Sequence, residues 1–215
     1  MSFFEDLSVS TTCDRNQMIG IPVIQRALSG DVSHQEYLDY LSQAYHHVKH
    51  TVPLLMACGA RLPERLNWLR EAVATYIEEE IGHEEWILDD IAAAGGDPEA
   101  VRNSRPHPAT ELMVSYAYDT IQRRNPAGFF GMVYVLEGTS VNLAHRAAEA
   151  IRNSLGLPQT AFRYLTSHGS VDQDHIAFLE TLVNRLEDSA DQDEVLHCAS
   201  MFFRLYGEVF RSVAQ

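Results

Sequence analysis

The sequence predicts an all-α bundle of six or seven helices in a single domain. Three observations predict it. Apolar residues recur at helical spacing through most of the chain. Alternating Val/Ile/Thr-rich segments between turn signals, the mark of strands, are absent. The interruptions fall at strong breakers such as Gly95-Gly96, Asn125-Pro126 and Gly156-Leu-Pro158. With 215 residues the chain is most simply one domain, residues 1–215, with enough mass for a substantial core.

The elements follow in order. Residues 1–15 are expected to form a flexible N-terminal segment. Ser33 reads as a helix cap with Glu36 three residues on, opening an amphipathic helix that runs to about Cys58 with a kink or break at Pro53. A second helix is expected from about Pro63 to Ala94, and the proline-rich piece Asp97 to Pro108 reads as a loop. A third covers Ala109 to Arg124. The fourth, about Pro126 to Leu155, is strongly apolar in its first half. The fifth spans Gln159 to Leu186 and the sixth Asp193 to Val213.

Composition narrows the function. Sixteen basic against thirty acidic residues give a net charge of −14, which argues against nucleic-acid binding and against docking on anionic membranes. No apolar run approaches the roughly 20 residues needed to span a bilayer. The start, MSFFEDLSVSTTCDRN, lacks a basic region followed by an apolar core, so no secretory signal is expected. Cys13, Cys58 and Cys198 form no CxxC pair and are odd in number. Reduced thiols in a cytoplasmic protein are the simplest reading.

The chemistry concentrates in three places. His168, Asp172 and His175 stand at i, i+4 and i+7, and on a helix their side chains fall within about 60° of one another. Leu179 and Leu182 continue the same stripe into the core. An Asp on such a stripe is costly unless paired or bound to a metal. Asp174 points away and is more simply solvated. Glu137 follows the apolar run Met132-Val-Tyr-Val-Leu136 and must be neutralised, hydrogen-bonded to a group such as Tyr134 or a buried Arg, or metal-bound. In Glu78-Glu79-Glu80-Ile-Gly-His83, Glu80 and His83 at i, i+3 can chelate together. Glu79 and His83 at i, i+4 can do the same, although acidic runs are usually solvated faces. Gly82 implies close packing or a local distortion beside His83.

Together Glu80, His83, Glu137, His168, Asp172 and His175 supply three carboxylates and three imidazoles from separate helices. Such inward-facing sets hold two irons, or manganese ions, in helical dimetal proteins. A thiolate-free set makes structural zinc improbable. The segment Tyr45-His-His-Val-Lys49-His50 is dense in titratable groups. His47 or His50 would line a cavity there, with Trp86 and Phe130 as candidate apolar walls, although large aromatics at helical spacing are more often core.

These residues resemble the heme-oxygenase-like diiron oxidases and oxygenases, relatives of the TenA-like, PqqC-like and CADD-type proteins. The pattern is a Glu and a His on one helix, a Glu on the next core helix, then HxxxD followed by a His. It maps onto Glu80 with His83, Glu137 in VYVLEGTSV, and His168, Asp172 and His175, across about residues 35 to 210. The resemblance implies a seven-helix heme-oxygenase-like bundle with no heme. It also implies a dinuclear iron site that activates O2 to oxidise a small molecule: an amine, an amino acid or a fatty acid. An external reductant and a homodimer are compatible with it.

Two other functions compete. A TenA-type hydrolase of thiamine-derived pyrimidines needs a cysteine nucleophile, and Cys58 is the only candidate on a predicted core helix. A non-catalytic binding or regulatory protein would use the same charges as a buried polar network. True heme oxygenase activity would need a proximal histidine, for which His34 and His46 are the candidates.

Overall fold

A computed structural model describes residues 2–213, apart from the side chains of residues 168–173. Three short helices come first: α1 (Phe3–Ser10), α2 (Thr12–Ile19) and α3 (Pro22–Ser29). The segment expected to be flexible is therefore helical from Phe3. Ser2 closes a reciprocal capping box with Glu5, and Leu7 is fully buried.

The expected helix from Glu36 to Cys58 is two helices, α4 (His34–Val48) and α5 (Thr51–Arg61). Ser33 caps α4 in a box with Glu36. The break falls at Lys49-His50, so Pro53 lands in the first turn of α5, where its missing N–H would have lacked an intrahelical partner anyway. The expected helix from Pro63 to Ala94 also divides, into α6 (Asn67–Glu80) and α7 (His83–Ala93). Within the anticipated loop, Asp97 accepts the backbone N–H of Ala100 and starts a short helix, α8 (Pro98–Arg102).

The remaining helices keep close to their expected limits: α9 (Pro108–Arg123), α10 (Phe129–Leu155), α11 (Arg163–Val183) and α12 (Ser189–Val213). Three of the divided or trimmed helices are preceded by single 3₁₀ turns, at 64–66, 126–128 and 159–162. The all-α architecture is as read from the sequence. The larger number of segments comes from the three short N-terminal helices, the breaks inside two anticipated helices and the short α8.

Helix α10 is central and packs against α3, α11 and α12. Its first seven residues, Phe129 to Val135, are all buried. Gly131 sets the approach to α12. A Cβ there would lie 2.5 Å from the carbonyl oxygen of Val195 and 2.6 Å from the amide nitrogen of Ala199.

The buried apolar residues form two clusters. One joins α5, α6, the start of α10 and α12. The other joins α4, α7, the second half of α10 and the start of α11. Residues of both clusters line one cavity, which therefore lies where the two halves of the core meet.

Candidate metal centre

Helix α6 ends at Glu80. Ile81 is extended (φ −60°, ψ 121°), Gly82 takes the left-handed conformation (φ 91°), and His83 is the first residue of α7. The expected i, i+3 pair on a continuous helix is thus a pair across a sharp break. The break still brings the two together: Nδ1 of His83 is 2.9 Å from Oε2 of Glu80, and both side chains are buried. A Cβ on Gly82 would meet nothing within 4 Å. Of the two expectations for Gly82, distortion holds and close packing does not.

Glu137 reaches the same place from α10, its side chain 12% exposed. From α11 comes His175, at 3% exposure. Its Nδ1 lies 3.4 Å from Oε1 of Glu137 and 3.8 Å from Oε1 of Glu80. Its Nε2 lies 3.0 Å from Oε2 of Glu79, which therefore turns to His175 rather than to His83. Tyr134 does not serve Glu137 in the manner considered above; its hydroxyl accepts from Nη1 of Arg15.

The structure thus gathers Glu80, His83, Glu137 and His175 from α6, α7, α10 and α11. The other two expected ligands, His168 and Asp172, lie outside the described side chains. Among the described residues, no three His, Cys, Asp or Glu side chains stand in a geometry ready to hold an ion. The donors are instead drawn onto one another, Glu80 onto His83 and Glu137 onto His175.

Their chemistry nonetheless fits a divalent iron or manganese. Two nearly buried carboxylates converge on one imidazole nitrogen, a cation between them would repay their desolvation, and neither cysteine of the core takes part.

The cavity opens beside this cluster. It offers about 170 Å³ to the centres of water-sized molecules, and Glu80 and Glu137 are part of its wall. Most of the rest is aliphatic, with Ile24, Leu54, Met132, Val133, Leu143 and Ile151 representative. His47 lines it, buried and set edge-on to the ring of Tyr206. Tyr37, Tyr76 and Tyr164 add phenol groups that the sequence reading did not single out. Tyr37 and His47 both lie on α4, but only the histidine stands out from the sequence as a chemical group.

His50 and Trp86 are not among the lining residues. Nδ1 of His50 is 3.2 Å from the Tyr118 hydroxyl. Trp86 is sandwiched between the His83 ring, at 4.0 Å, and the Arg163 guanidinium, at 4.3 Å. Phe130 is core, and its neighbour Phe129 faces the cavity.

Other candidates are engaged elsewhere. His34 Nε2 contacts the Ala94 carbonyl at 2.6 Å. His46 Nε2 contacts Ser104 Oγ at 2.8 Å, and burial, then Lys49 and His50, push its pKa down to about 4. Neither lines the cavity. Cys58 is fully buried, its Sγ 3.4 Å from the Pro126 carbonyl, and burial pushes the thiol up to about 12. A thiol that stays protonated is a poor nucleophile.

A family model described as iron-containing redox enzyme matches residues 38–207. The chain belongs to this iron-containing redox enzyme family.

Solved structures agree on the fold. A protein from Shewanella denitrificans, described as a domain of unknown function with a heme oxygenase-like fold, superposes with a TM-score of 0.89. It is 24% identical, over 98% of this chain and 91% of that one. A TenA homolog from Pseudomonas syringae pv. tomato has a TM-score of 0.83 and 13% identity, over 99% and 93% of the two chains. Heme oxygenase-2 from Synechocystis, solved with heme and NO, has a TM-score of 0.78 and 16% identity, over 99% and 85%. No curated protein matches the chain. The fold is therefore heme-oxygenase-like. Among the described residues, no helix is long and apolar enough to cross a membrane.

Proposed function

We propose that this chain is a non-heme, two-iron oxidase or oxygenase that activates O2 and acts on a small organic molecule with an apolar body. The observation that carries the reading is the convergence of Glu80, Glu137 and His175 at the wall of an otherwise apolar cavity. Glu80, His83, Glu137, His168, Asp172 and His175 would hold the metal, with manganese as the alternative to iron. Iron in such a carboxylate and imidazole set supplies activation of dioxygen when bound.

The chain's own residues do the rest. Aliphatic side chains from α3, α5 and α10 hold the substrate body and keep water away from the cluster. A dry site strengthens every charge interaction within it. His47, buried in the wall, would orient a substrate heteroatom together with the phenols of Tyr37, Tyr76 and Tyr164. Electrons beyond those of the substrate come from an external reductant. The setting would be cytoplasmic, and the net charge of −14 argues against nucleic acid as a partner.

The test is anaerobic loading of the metal-free protein with Fe(II), followed by elemental analysis and exposure to O2. Up to two irons per chain are expected, with O2 consumed and an electronic absorption change. His168→Ala and Asp172→Ala should each lower the iron content. A protein that retains neither iron nor manganese, with both variants indistinguishable from the parent, would overturn the reading.

A further inference from the structure

Glu79 is the member of the acidic run that a solvated-face reading would dismiss, since its side chain is 46% exposed. Its carboxylate is nonetheless 3.0 Å from Nε2 of a histidine that is itself 3% exposed. We infer that Glu79 is a positioning residue. It fixes the ring of His175 so that Nδ1, and not Nε2, is turned to the carboxylates of Glu80 and Glu137. The inference rests on the reading that His175 is a metal ligand.

Three observations meet here. Tyr76, Glu79 and Glu80 stand at i, i+3 and i+4 on α6 and share a face. From that face the Tyr76 hydroxyl donates to the His175 carbonyl oxygen at 3.5 Å, and its ring lies 5.4 Å from the imidazole at 66°. One turn of α6 thus meets the backbone of His175 through Tyr76 and sets the Glu79 carboxylate at the far side of its ring.

The second observation is the asymmetry of the imidazole. Nε2 faces one half-exposed carboxylate, whereas Nδ1 faces two carboxylates with little exposure. A ring N–H belongs on the side where an acceptor remains after a cation has arrived. Glu80 and Glu137 would then be engaged by the metal, which leaves Glu79. The third is the chemistry itself. A carboxylate behind a ligating histidine sets its tautomer and raises its basicity, and losing it costs about 10- to 100-fold in metal affinity.

The experiment titrates the full-length, metal-free chain anaerobically with Co(II) alone. It reads affinity, stoichiometry and the visible d–d spectrum for the parent, Glu79→Ala, Glu79→Gln and His175→Ala, together with the melting temperature of each metal-free protein. His175→Ala should lose bound cobalt or change its spectrum outright. Glu79→Ala should keep the parent stoichiometry and metal-free melting temperature, but bind about 10- to 100-fold more weakly. Glu79→Gln, which retains an acceptor oxygen, should recover part of that loss.

Parent-like affinity in Glu79→Ala, beside a defective His175→Ala, would overturn the positioning role and leave the site standing. Loss of a whole ion in Glu79→Ala would make Glu79 a ligand. A matching fall in the metal-free melting temperature would make it structural. Either result overturns the inference. Parent-like binding by His175→Ala would instead bring down the site itself.

Discussion

Both carboxylate oxygens of Asp90, on α7, cap the start of α11: Oδ1 accepts the backbone N–H of Arg163 at 2.9 Å and Oδ2 that of Tyr164 at 2.8 Å. The side chain is fully buried. A residue more than seventy positions upstream thus satisfies N–H groups that a helix start leaves without intrahelical partners. The two helices it ties are those that bring His83 and His175 to the cluster. Asp90→Ala strands both donors in a dry site and should cost about 2 kcal/mol or more in denaturant unfolding.

The same carboxyl gives a pH signature. Burial raises its pKa, the two backbone N–H groups pull it down only in part, and the result is about 6 against an ordinary value of 3.8. The folded state therefore binds the Asp90 proton more tightly than the unfolded chain. That contribution is fully present below pH 4 and is lost as pH rises through 6. Stability of the parent relative to Asp90→Asn should fall by up to about 3 kcal/mol between pH 4 and pH 7. Urea unfolding of both proteins at several pH values reads it, and a constant difference would show that Asp90 does not titrate there.

Gly131 offers a purely steric prediction. Any side chain at this position must push against the backbone of α12 at Val195 and Ala199 rather than against a flexible side chain. Gly131→Ala should therefore destabilise by about 1–3 kcal/mol despite the higher helix propensity of alanine. If the variant were as stable as the parent or more so, the close packing of α10 on α12 would be disproved.

The long helices and the inward acids were legible because periodicity and the cost of burying charge act locally. Glu137 stands out in an apolar run from sequence alone, and α10 and α12 emerge within a few residues of their expected ends. The break at Ile81-Gly82 was signalled by the glycine but not by its extent, because a left-handed φ depends on where the flanking helices must go. Asp90 gives no signal in the sequence, and Glu79 reads there only as a partner for His83 or as part of a solvated acidic run. Each role comes from a partner on α11 more than seventy residues away. Such contacts leave no periodic trace. Tyr37 and Tyr164 were hidden for the opposite reason, since a buried tyrosine reads as ordinary core.

Thiol chemistry should distinguish the three cysteines. Cys13 is exposed, whereas burial pushes the Cys58 thiol up to about 12 and that of Cys198 to about 11. The thiolate is the reactive form. At pH 8 the native protein should therefore titrate one fast thiol per chain with a disulfide reagent, and three after denaturation. Cys58→Ala should leave metal content unchanged. Fast modification of Cys58 in the native protein would reopen the hydrolase reading that needs it as nucleophile.

Gly82 couples backbone conformation to the proposed metal centre. Its φ of 91° carries the chain from Glu80 at the end of α6 to His83 at the start of α7, with open space where a Cβ would go. Gly82→Ala therefore meets no clash, and its whole cost is the left-handed conformation, about 1–2 kcal/mol. Relief of that strain rotates His83 relative to Glu80, so iron content should fall more than stability does. Gly82→Asn, which tolerates the left-handed region better, should lose less of both. Denaturant unfolding and iron analysis on the three proteins make the comparison. Equal iron retention in all of them would mean that the Glu80–His83 pairing does not depend on this turn.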